Sequence, residues 1–131
     1  MPGGCTVLLI DDQPADAQMV QEALDWVGFD GLVVAVENAP LAFSYLQRRG
    51  PYAHVPLPQF VLLDLHLPVM SGWDVLQERM QDTVLSQIPV IIVSANREPQ
   101  LVNALDKGIC AFLPKPFDIE ALSALVRSCV S

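Results

Sequence analysis

Short apolar runs alternate along this chain with segments whose apolar residues recur at intervals of three and four, about five times in all. The first run is Thr6-Val7-Leu8-Leu9-Ile10, followed by a stripe at Met19, Val20, Ala23, Leu24 and Val27 that makes one helix face, with Gly28 as its stop. Leu32–Val36 is the second run, trailed by Leu41, Ala42, Tyr45 and Leu46. Phe60–Leu63 is the third, trailed by Trp73, Leu76 and Met80. Val90–Val93 is the fourth, before a stripe at Leu101, Ala104 and Leu105 ending at Gly108. Cys110–Leu113 is the fifth, before Ile119, Leu122, Leu125, Val126 and Cys129. The first, third and fourth runs are continuously apolar rather than alternating, as expected of strands buried on both faces of a parallel sheet. Five β-then-α units predict a doubly wound α/β fold, a five-stranded parallel sheet with helices on both faces.

Such sheets bind ligands outside the carboxyl ends of their strands, so the residues that close each run are the candidates for chemistry. The first run ends in Asp11-Asp12, the third in Asp64 and the fourth in Ser94, while the fifth leads into Lys115 between Pro114 and Pro116. Taken singly, each has an ordinary reading: Asp-Asp as a helix N-cap and its solvated neighbour, Asp64 and Ser94 as loop polar groups, Lys115 as a turn residue. Together they place three carboxylates, a hydroxyl and an ammonium at one edge of the sheet. Converging carboxylates repel, and the cluster is relieved by protons or by a cation. Hard oxygen donors without Cys or His nearby suit Mg²⁺, which shares its shell readily with a phosphate. An Asp beside that ion and across from a Lys is a candidate phosphoryl acceptor, because phosphoryl transfer depends mainly on positioning and electrostatics.

Composition narrows the classes. At 131 residues there is room for one domain, expected over residues 1–131 with no output domain. With 52% apolar residues the chain can bury a core, yet no run approaches the roughly 18–20 residues of a membrane span. The opening Met1-Pro2-Gly3-Gly4-Cys5 has no signal-peptide pattern, so a soluble cytoplasmic protein is expected. Seven basic against fifteen acidic residues give a net charge of −8, which argues against direct nucleic-acid binding and for cations or basic partners. Cys5, Cys110 and Cys129 lack metal-ligand spacing and read as small thiols in a reducing compartment. The stretch from Arg48 to Pro58, with Pro51, Pro56 and Pro58, reads as a surface loop with a pre-set backbone. Trp26 and Trp73, at helical spacing, read as packing residues, and His54 as a surface residue.

Asp11-Asp12, the stretch from Leu62 to Gly72, Val93-Ser94-Ala95 and Phe112-Leu113-Pro114-Lys115-Pro116-Phe117 together resemble the receiver domain of two-component response regulators, over essentially the whole chain. The resemblance implies a flavodoxin-like sheet of order 2-1-3-4-5. It implies Asp64 as the acceptor of a phosphoryl group from a histidine kinase, making the chain a switch with intrinsic autophosphorylation and autodephosphorylation rather than a turnover enzyme. It further implies Mg²⁺ held by Asp12, Asp64 and the backbone carbonyl of His66, with Asp11 acting through water, and Lys115 bridging to the phosphoryl group. Ser94 and Phe112 would move together on activation, and His66 and Asn96 would flank the path of the hydrolytic water. Lacking an output domain, the switch would signal through a homodimer or a downstream protein. The Asp-Asp-x-Pro-x-Asp opening (Asp11 to Asp16) and the Arg48-Arg49-Gly50-Pro51-Tyr52 loop further resemble the stand-alone receivers of phytochrome-type histidine kinases. Pro114 directly before Lys115 departs from the common pattern. A proline there has no N–H and restricts Leu113, so the fifth strand is expected to end early.

Other functions fit less well. A phosphohydrolase of the haloacid-dehalogenase type needs an Asp two residues past its nucleophile, where this chain has His66. A flavin or nucleotide site of the same fold needs a Gly-rich or hydroxyl-rich loop after the first strand, and Asp11 to Asp16 would repel phosphate unless a cation intervened. A phosphorylation-independent scaffold predicts erosion of positions that are all filled here.

Overall fold

A computed structural model describes residues 5–28, 31–65, 67, 72–94, 109–114 and 118–130. Its strands are β1 (Cys5–Ile10), β2 (Gly31–Val36), β3 (Phe60–Asp64), β4 (Val90–Ser94) and β5 (Ile109–Pro114). The described helices are α1 (Pro14–Trp26), α2 (Ala39–Leu46), α3 (Gly72–Met80) and α4 (Ile119–Val130). All strand pairs are parallel, in the order β2-β1-β3-β4-β5. The expected stripe over Leu101 to Gly108 lies outside the described residues, as do the side chains of the three cysteines.

Alternate residues of each central strand serve opposite faces. Leu8, Ile10, Val61, Leu63, Val90 and Ile92 join the core beneath α2 and α3. Val7, Leu9, Phe60, Leu62, Ile91 and Val93 join the one beneath α1 and α4. Both faces are covered, which is why these runs carry no polar alternation. The second core is tied across the helices by Ser123, whose hydroxyl donates to the Ala23 carbonyl at 3.3 Å. In the first, Tyr45 stacks at a tilt on Tyr52, with ring centroids 5.2 Å apart, and donates to the Pro56 carbonyl at 3.4 Å. Burial pushes the Tyr45 phenol above its ordinary pKa.

Three expectations need correction. The strand β5 does not stop before Pro114; that residue is its last, opposite Ser94. β5 is the edge of the sheet, the place where a strand accommodates a residue without an N–H. On α3 the inward position of the last turn is taken by Arg79 (5% exposed), while Met80 is 45% exposed. The Arg79 guanidinium donates to the carbonyls of Ser86 and Ile88 and so latches the segment that leads into β4. Trp73 packs on the core as expected, but Trp26, at the end of α1, is 65% exposed.

Helix ends follow local chemistry. Gly28 takes φ +74° just past α1, as a left-handed C-terminal position prefers. Asn38 caps α2 by accepting from the Leu41 N–H at 2.8 Å. At the other end of α2, Arg48 N–H donates to the Tyr45 carbonyl and Arg49 N–H to that of Ser44, at 3.0 and 2.9 Å. This is a Schellman motif whose left-handed position, usually glycine, holds Arg48 at φ +54°. Arg48→Gly is therefore expected to stabilise the fold by roughly 0.5–1 kcal/mol, relief of the side-chain strain outweighing the added chain entropy. Urea denaturation reads the change as a higher midpoint at constant slope.

Candidate functional site

The carboxyl ends of β1 and β3 carry the acidic residues into one cluster. Asp11 directly follows β1, held by its N–H donating to the Val36 carbonyl at 3.0 Å. Its carboxylate accepts from the Gln13 N–H at 2.8 Å, which turns the chain toward α1. Asp64 is the last residue of β3 and lies opposite Val93 of β4. Asp11 and Asp64 are 4% and 5% exposed, whereas Asp12 faces solvent. One carboxylate oxygen from each of Asp11, Asp12 and Asp64 falls within 4.8 Å of the others. Two of these carboxylates are withdrawn from water while the third stays open, so a cation could be held from one side and reached by substrate from the other. An all-oxygen donor set of this charge suits a hard divalent ion.

Glycine shapes the floor of the cluster. Gly72 opens α3, and its N–H donates to the Leu65 carbonyl at 3.0 Å. A Cβ on Gly72 would stand 2.6 Å from the Asp64 carbonyl oxygen and 2.7 Å from the Leu65 Cα. Only a residue without a side chain lets the helix start this close to the backbone that presents Asp64. The sequence marks Gly72 only as part of a motif; its role as a packing neighbour of Asp64 emerges from the fold.

Of the remaining candidates, Ser94 ends β4, as its apolar run implied, and its side chain is not among the described ones. Phe112 lies on β5 opposite Ile92, half-buried against the core under α2 and α3. His66, Asn96 and Lys115 lie outside the described residues. The structure thus brings together Asp11, Asp12 and Asp64, and seats Ser94 and Phe112 on adjacent strands.

Comparison with known proteins agrees with this arrangement. The response regulator receiver domain profile matches residues 7–127. Response regulator Rcp1 of Synechocystis sp. is 30% identical over 122 residues, covering 92% of this chain and 83% of that protein. Other relatives are longer, and the chain spans about half of their length. Among solved structures, the phosphorylated cyanobacterial phytochrome response regulator RcpA superposes with a TM-score of 0.80 at 31% identity, covering 96% of this chain and 91% of that one. The Mn²⁺-bound form of Rcp1 superposes with a TM-score of 0.79 at 30% identity, covering 95% and 90%. With its five-stranded parallel sheet of order 2-1-3-4-5 and an aspartate cluster at the carboxyl ends of β1 and β3, the chain belongs to the receiver domain family of two-component response regulators, whose function is a phosphorylation switch.

Proposed function

We propose that Asp64 is the phosphoryl acceptor of this switch, and that the observation carrying this reading is its convergence with Asp11 and Asp12. An Asp64 carboxylate oxygen attacks the phosphorus of a phosphohistidine on a histidine kinase. The N–P bond breaks, an acyl phosphate forms, and the imidazole leaves with a proton. Asp12, Asp64 and the His66 carbonyl would hold Mg²⁺ directly and Asp11 would hold it through water. When bound, the ion supplies positive charge to the phosphoryl oxygens. Lys115 and Ser94 donate to those oxygens, and His66 and Asn96 set the access of water to the acyl phosphate. Ser94, drawn toward the phosphoryl group, leaves space into which Phe112 turns, so charge at the site becomes packing at the β4–β5 face.

The kinase in this reading is of the phytochrome type, supported by the likeness to RcpA and Rcp1. The Mn²⁺-bound form of Rcp1 supports a divalent ion here. The proposed output is a homodimer or a downstream protein in the cytoplasm, without nucleic-acid contact. No described helix is long and apolar enough to cross a membrane.

Thermal and chemical denaturation test the charge logic. In EDTA, Asp64→Asn is expected to be more stable than the parent by roughly 1–2 kcal/mol, because it removes one of three mutually repelling charges. Mg²⁺ at about ten times its Kd should stabilise the parent by about 1.4 kcal/mol and the variant by much less. Adding beryllofluoride, which mimics an acyl phosphate, should raise the parent Tm further and leave the variant unmoved. Equal responses in the two proteins would remove Asp64 from the site.

A further inference from the structure

We propose that the loop between α2 and β3, around Arg48 and Arg49, is a docking surface for an acidic segment of a protein partner. The chain carries −8 overall, yet no Asp or Glu stands between Glu37 and Asp64. Arg48 and Arg49 sit together in that interval and are both exposed. Among the described residues neither guanidinium takes a hydrogen bond or ion pair. The other described arginines are Arg79, buried on the inward side of α3, and Arg127, on α4; no lysine is among the described residues. The arginine pair is thus, among the described residues, two adjacent exposed cations in a stretch of an acidic chain that carries no carboxylate of its own.

The backbone adds a second observation. Arg48 occupies the left-handed position of the α2 Schellman motif at φ +54°, where glycine would cost less. A cation one turn earlier would serve the helix carbonyls equally well without that strain. Strain retained at one exposed side chain points to a use for that side chain. The loop around it is already ordered: Tyr52 N–H donates to Arg49, Ala53 to Gly50 and Val55 to Tyr52, at 2.9, 3.2 and 3.3 Å. Exposed Pro51 and half-buried Tyr52 and Val55 line it with apolar surface. Binding here would therefore order little and could pair carboxylates with apolar anchors.

Place gives the surface its consequence. The loop enters β3 at Phe60, and Asp64 closes the far end of that strand, roughly 13 Å along it. A partner docked on the arginines leaves the carboxylate cluster open, so docking should not depend on phosphorylation.

The test is fluorescence anisotropy of a short fluorescein-labelled peptide rich in Glu, with interspersed Leu and Pro, titrated with the full chain. Saturable binding is expected, weakening with salt and falling about tenfold or more in Arg48→Gly/Arg49→Ser. Arg127→Ser should bind like the parent, and beryllofluoride with Mg²⁺ should leave affinity unchanged. Arg48→Gly alone should weaken binding while raising Tm, which separates lost docking from lost folding. The proposal is overturned by no binding, by equal binding of the double variant, by an equal loss in Arg127→Ser, or by capture of phosphatidylserine vesicles in place of the peptide.

Discussion

Gly72→Ala is expected to destabilise the protein by about 2 kcal/mol and to slow its phosphorylation tenfold or more. The added Cβ would stand 2.6 Å from the Asp64 carbonyl oxygen and 2.7 Å from the Leu65 Cα. Both obstacles are backbone, so no side-chain rotation relieves them. Either α3 retreats, weakening the seats of Val75 and Leu76 in the core, or the end of β3 shifts and carries Asp64 with it. Overpacking of this kind costs roughly 1–3 kcal/mol. Alanine's better helix propensity offsets little at the first helical residue. Displacement of the acceptor by about an ångström can cost one to two orders of magnitude in rate. Urea denaturation and the rate of labelling by acetyl phosphate measure the two effects separately. A Gly72→Ala protein as stable and as fast as the parent would mean that the close approach does not govern how Asp64 is presented.

Much of this architecture is written in local patterns. Val7, Leu8, Leu9 and Ile10 are consecutive and all buried, which in a strand requires cover on both faces, so this short β-rich run makes the parallel sheet legible. Asp11, Asp12 and Asp64 are legible as a cluster because the fold class dictates that these strand ends meet. The helix faces are less legible. A stripe through Trp73, Leu76 and Met80 is a reasonable inward face, but the chain buries Arg79 instead, because two backbone carbonyls wait for its guanidinium. Nothing in the periodicity of α3 announces acceptors supplied by Ser86 and Ile88. Pro114 shows the reverse error. Its propensity argues against a strand, and the edge position of β5 removes the objection. Gly72 and Arg48 owe their significance to distance and dihedral angle, which no residue pattern encodes.

Asp64→Asn should abolish phosphorylation altogether, the largest effect expected of any single change. The substitution keeps the shape of the side chain and removes the anionic oxygen that attacks phosphorus. It also reduces the charge that Asp11, Asp12 and Asp64 together offer a divalent ion. EDTA should block labelling of the parent as well, since without a cation the negative charge gathered at Asp11, Asp12 and Asp64 disfavours an incoming phosphate. The direct measurement is intact-mass spectrometry of the parent and Asp64→Asn after incubation with acetyl phosphate and Mg²⁺. The parent should gain the mass of one phosphoryl group and the variant none. A parent that takes up no phosphoryl group, or a variant labelled to the same extent, would contradict the assignment of Asp64 as the acceptor.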